Sequence, residues 1–169
     1  MNNTIHSSDD FEGMRKAGNL AASTLDLLVE KVKPGVSTEE LDNIAFDYIV
    51  RHGGLIAPLF YKGYPKSVCT SINHVICHGI PSSRILENGD IVNIDVTVIV
   101  DGWHGDTSRM FPVGKINAKA QKLIDCTFHA MHEGINAAQP DATLGDIGSA
   151  IQTYAETVSY THLTLPTKA

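Results

Sequence analysis

The stretch IVNIDVTVIV-DG-WHGDTSRMF, Ile91 to Phe111, decides the fold. Asp101-Gly102 carries the signature of a type I′ turn, whose two central residues both need positive φ. The runs on either side alternate apolar and polar residues, the period of strands with one face buried. With those two residues as the loop, Val100 faces Trp103, Ile99 faces His104 and Thr97 faces Asp106. Asp95 is two residues from Thr97 and projects to the same side. Asp95 and Asp106 are then diagonal cross-strand neighbours, roughly 7–8 Å apart at the backbone. Val92, Ile94, Val96, Val98 and Val100 make the opposite face a continuous β-branched core. Two uncompensated carboxylates that close repel, and an oxygen-bound divalent cation would relieve them. The same polar face (Asn93, Asp95, Thr97, His104, Asp106, Ser108) also suits a sheet with one side in water. The pairing alone leaves both readings open.

Working outward, Ser8 to Val32 has helical spacing in Met14, Ala17, Leu20, Ala21, Leu25 and Leu28, with Asp9 and Asp10 suiting the first turn. Lys33-Pro34-Gly35 breaks it. Ser37-Thr38-Glu39-Glu40 reads as a capping box opening a second helix that ends at Gly53-Gly54. A strand-and-loop region, Leu55 to Pro81, leads into the hairpin. A long helix follows from about Asn117 to Ala138, and Thr143 caps a fourth with Leu144, Ile147, Ile151 and Tyr154 on its apolar side.

The 169 residues suffice for one domain with a substantial core. A net charge of −6 argues against nucleic acid as the main partner. No apolar run reaches membrane-spanning length, and the polar, acidic opening MNNTIHSSDDFEGMRK has no signal-peptide core. A cytoplasmic location follows by default. Cys69, Cys77 and Cys126 fit neither a zinc spacing nor an even-numbered disulfide framework, so reduced thiols are expected.

Two further patterns bear on organisation. Pro34, Ser37, Glu40, Leu41, Ala45 and Tyr48 recur at one constant offset as Pro140, Thr143, Asp146, Ile147, Ile151 and Tyr154, each set following a longer amphipathic helix. That echo points to a duplicated half, yet no second strand-and-hairpin unit follows the fourth helix. The last residues, VSYTHLTLPTKA from Val158 to Ala169, have no helical period. They resemble the in-frame translation of a transposon-type sequencing-library adapter, and are set aside as a cloning or assembly scar.

Between the second helix and the hairpin lies YKGYPKSVCTSINHVICHGIP, Tyr61 to Pro81. Physically, it supplies two tyrosines on a Gly-Pro-bent loop, a small Cys69, and His78 before Gly79. Such a loop can line an apolar pocket with an imidazole at its mouth, although each residue alone is ordinary loop packing. Taken together, GYPKSVC-SIN-V-CHGIP, GDIVNIDVTV and DG-HGDTS-MF resemble the bacterial-type (type I) methionine aminopeptidases, from Asp9 to about Thr157.

The resemblance implies an α/β (α+β) pita-bread fold of the creatinase/aminopeptidase kind, two pseudo-symmetric halves around a dinuclear metal site. This chain would carry the first half and the two opening helices of the second, with residues 1–157 as a truncated metallopeptidase domain and 158–169 as the foreign tail. It implies that Asp95 chelates one metal and Asp106 bridges two divalent ions (Co, Mn, Fe or Zn). It implies that His78 contacts the substrate backbone near the scissile bond, while Tyr61, Tyr64 and Cys69 line a methionine side-chain pocket. The expected substrate is the N-terminal methionine of nascent polypeptides, cut by a cytoplasmic monomer, with contact to the ribosome left open and neither DNA nor membrane as partner. The family's remaining ligands, one histidine and two glutamates, and a further catalytic histidine have no counterpart here. His162 lies in the suspect tail, His104, His129 and His132 match no ligand, and His74 reads as a surface residue. Inactivity of this truncated chain is therefore expected, along with an inner sheet whose exposed apolar surface invites aggregation. The alternatives are an X-Pro aminopeptidase or prolidase-like enzyme, and a non-catalytic pita-bread binding protein.

Overall fold

The computed structural model describes residues 6–158. These divide into two compact units, separated at Ile116/Asn117. All but the first residue of the suspect tail, including His162, lies outside the described residues.

The first unit opens with helix α1, Ser8–Leu28. Ser7 accepts from the Asp10 N–H and the Asp10 carboxylate accepts from the Ser7 N–H, a complete capping box. The helix ends earlier than its apolar period suggests. The Val29 N–H bonds to the Asp26 carbonyl and the Val32 N–H to that of Leu28; this tightened turn leaves Val29 53% exposed and brings Val32 into the core before Pro34. Helix α2, Thr38–Arg51, has only half of the expected capping box. The Ser37 side chain accepts from the Glu40 N–H at 3.1 Å, without the return bond. The chain entering this helix is held instead by residues 82–86: the Thr38 N–H bonds to the Arg84 carbonyl and the Leu86 N–H to that of Val36.

The sheet has four antiparallel strands: β1 (Leu55–Ile56), β2 (Cys69–Ile72), β3 (Ile91–Val100) and β4 (Trp103–Pro112). The hairpin register is the expected one, with Val100 opposite Trp103 and Thr97 opposite Asp106. Asp101 and Gly102 have φ of 51° and 85°, as a type I′ turn requires. β4 occupies one edge of β3. The other edge is shared end to end, β1 pairing at Val98–Ile99 and β2 at Val92–Asp95. The chain between them, residues 57–68, therefore loops out where β3 has lost its neighbour, beside Asp95 and Thr97.

Val92, Ile94, Val96 and Val98 are fully buried with Leu25, Leu28, Leu41 and Ile49 of the two helices. Helix α1 lies across β3 and β4 and touches the sheet backbone to backbone. A Cβ at Gly105 would overlap the Ala17 main chain. Replacing Gly105 with Ala should cost about 1–3 kcal/mol, since the helix must lift to admit a methyl group; urea unfolding checks this.

The second unit holds α3 (Ala118–Ala137), capped by Asn117, and α4 (Leu144–Thr157), capped by a complete Thr143–Asp146 box. Gly134 on α3 packs against Ile147 and Ile151. α4 buries none of its residues: Leu144 is 88% exposed, and Phe128, Met131 and Ile135 on α3 are also exposed. Exposed apolar side chains occur in the first unit as well, among them Leu55, Phe60, Ile76 and Ile80, while the inner sheet face carries the polar Asn93, Asp95, Thr97 and Asp106. No helix among the described residues is long and apolar enough to cross a membrane.

Candidate functional site

Cross-strand partners project to one side of a sheet, so the pairings Cys69–Asp95 and Thr97–Asp106 bring three strands' side chains onto one face. With the outward loop they enclose a cavity of about 880 Å³. Asp95, Asp106, His78, Tyr61, Tyr64 and Cys69, every residue singled out by sequence, line it. Thr97, His104 and Lys62 line it as well. His104 shares the strand face of Asp106, two residues away, which alternation already indicated. Lys62 carried no sequence signal beyond its place in the loop.

Asp95 is half-buried and Asp106 exposed. Burial first, and then the neighbouring Asp106 charge, hold the Asp95 carboxyl above the usual aspartate range, with His78 acting the other way. The Thr97 hydroxyl donates to Asp106 Oδ1 at 3.0 Å. Among the described residues neither carboxylate has a lysine or arginine ion-pair partner.

The loops around the pair are fastened from behind. The Tyr64 hydroxyl donates between the carbonyls of Val68 (2.9 Å) and Gly79 (3.2 Å). The Thr70 N–H bonds to the Gly79 carbonyl at 2.8 Å, and the Gly79 N–H to Ser71 Oγ at 3.1 Å. A Cβ at Gly79 would overlap the Thr70 carbonyl, so only glycine lets the His78 loop lie this close to β2. His78 itself is left-handed, φ 55°. Tyr64 thus does more than line a pocket: its hydroxyl pins the residue after His78. Burial, then the Cys69 thiol, push the Tyr64 phenol up, and burial pushes the Cys69 thiol up. Cys69, Cys77 and Cys126 are all free thiols.

Asp42 is a supporting residue that sequence reasoning passed over. It is buried on α2 and its Oδ1 accepts from the N–H groups of Ser67 (2.7 Å) and Val68 (3.0 Å), the residues leading into Cys69. Burial pushes its carboxyl up, against the pull of those two bonds. Asn73, also left-handed (φ 51°), closes the far end of β2. Its side chain accepts from the Ile91 N–H and donates to the buried Asp90.

A family model described as metallopeptidase family M24 matches residues 12–165. The chain is 57% identical to the methionine aminopeptidase of Rickettsia prowazekii over 92% of its own length and 60% of that protein's. It is 52% identical to methionine aminopeptidase A of Synechocystis over 90% and 61%. The crystal structure of the Rickettsia prowazekii enzyme superposes with a TM-score of 0.91 at 57% identity, covering 92% of this chain and 62% of that one. A prolidase from Pyrococcus furiosus reaches 0.79 at 20% identity, covering 92% and 45%, a likeness of fold alone. The chain spans about three fifths of the length of the curated relatives it matches.

Proposed function

Because this chain belongs to metallopeptidase family M24, we propose that the protein it forms part of is a divalent-metal-dependent aminopeptidase removing the N-terminal methionine of new polypeptides. The observation that carries the reading is the convergence of Asp95, Asp106, His78, Tyr61, Tyr64 and Cys69 on one cavity. The names of the relatives support it. Monomeric action in the cytoplasm, on chains emerging from the ribosome, belongs to the same proposal.

Asp95 and Asp106 would hold the metal. They fit in kind: two hard-oxygen donors, close enough that the Asp106 charge adds to burial in holding the Asp95 carboxyl up, with no lysine or arginine ion-pair partner among the described residues. They fall short in number, since the described residues contain no group of three His, Cys, Asp or Glu side chains able to hold a metal ion. Two ions drawn from Co, Mn, Fe and Zn suit carboxylate-rich donors, the missing ligands coming from the two fifths of its relatives' length that this chain does not span. When bound, such ions polarise a carbonyl and lower the pKa of water. The chain's own residues do the rest. His78 presents its imidazole to the peptide backbone near the scissile bond, held there by the Gly79 clamp. Tyr61, Tyr64 and Cys69 wall a pocket that suits an unbranched, polarisable thioether. Thr97 orients Asp106 through its hydroxyl.

A protein restored to its relatives' length and supplied with divalent metal should release methionine from a Met-Ala-Ser peptide and lose that activity to a chelator. The 169-residue chain alone should release none. Release by the short chain, or none by the long one with any of the four metals, overturns the reading. Residues 158–169 are taken as foreign in the same proposal; a source locus that encodes them contradicts it.

A further inference from the structure

We infer that Lys62 is a specificity-determining residue of this cavity, favouring peptides that carry a carboxylate on the second residue after the N-terminal methionine. The inference rests on the aminopeptidase reading above. Lys62 is the sole lysine or arginine lining the cavity among the described residues. It has no carboxylate partner among them. Its ammonium stands 5.5 Å from the centroid of the Tyr61 ring, over the aromatic face.

The backbone beneath it is fixed. Lys62 is left-handed, φ 48° and ψ 31°. Its short 3₁₀ turn is closed by Phe60 N–H to the Tyr64 carbonyl (2.7 Å), Gly63 N–H to that of Phe60 (3.3 Å) and Tyr64 N–H to that of Tyr61 (3.0 Å). The side chain therefore leaves the loop from a defined point. Burial grades the cavity from floor to mouth: Cys69 is 8% exposed, Tyr61 65%. Lys62 is exposed with Tyr61, so its charge sits at the mouth, where peptide following the buried methionine side chain must leave. An unpaired ammonium at that point attracts an acidic side chain and repels a basic one. An exposed ion pair of this sort discriminates by about two- to fivefold, and salt weakens it.

The test uses the length-restored, metal-loaded protein and peptides beginning Met-Ala-Asp or Met-Ala-Asn. At low ionic strength kcat/KM should favour the aspartate peptide by about threefold. The ratio should fall to near one in Lys62→Gln and drop below one in Lys62→Glu. Equal rates on both peptides in the parent, or a ratio that survives in Lys62→Gln, overturn the inference and leave the aminopeptidase reading standing. Release from neither peptide overturns both.

Discussion

Asp95→Asn should lower methionine release by the length-restored protein about a thousandfold, because charge stabilisation by a bound cation is worth several kcal/mol. Asn keeps the shape and removes the charge that would hold the ion, so KM should move far less than kcat. In the metal-free protein the same change should act in the opposite direction. The Asp95 carboxyl is held above its ordinary pKa of 3.8. A group raised in this way contributes stability below its unfolded pKa and loses it as pH rises through the folded value. At neutral pH the ionised pair therefore weighs against the metal-free fold. In chelator, Asp95→Asn should melt higher than the parent at pH 7, and the gap should shrink to nothing as the pH falls below 3.8. Melting curves at both pH values, with and without metal, check the sign: metal should reverse the order of the two proteins.

Asp42→Ala should destabilise the chain by about 2–5 kcal/mol, because two buried N–H groups would lose their acceptor at once. Both bonds go to a single oxygen, Oδ1, and an asparagine can supply that oxygen. Asp42→Asn should therefore unfold close to the parent in urea, while the alanine variant unfolds well before it. The residues released, Ser67 and Val68, lead into Cys69 and thus set the cavity floor. A loosened clamp should raise hydrogen exchange at those two amides before the rest of the sheet responds.

The parts of the structure governed by local rules were open to reading from sequence. Asp101-Gly102 admits few backbone conformations, so the turn determined the register and put Asp95 and Asp106 on one face. Asn117 and Thr143 cap helices where such residues are expected. What escaped depends on tertiary neighbours. Asp42 lies in an amphipathic helix, where an aspartate ordinarily marks the wet side; its burial comes from a loop 25 residues away in sequence. Gly105 reads as a weak point in a strand, and only the approach of Ala17 makes it a contact surface. The early end of α1 reflects Val32 turning into the core. The apolar side of α4 was legible as a pattern, but its exposure was not, since a period cannot say whether its complement is present.

Of the six non-glycine residues that are left-handed among those described, Phe60, Lys62, Asn73 and His78 all belong to the two loops bounding the cavity. Each such backbone costs on the order of 1 kcal/mol and persists because its surroundings over-determine it. The outlay is met when the protein folds, so a guest finds walls already set and gives up little of its own affinity to arrange them. A vessel cast in this manner gains selectivity from stiffness: molecules that match its outline enter easily, and those that would need the walls to yield are turned away.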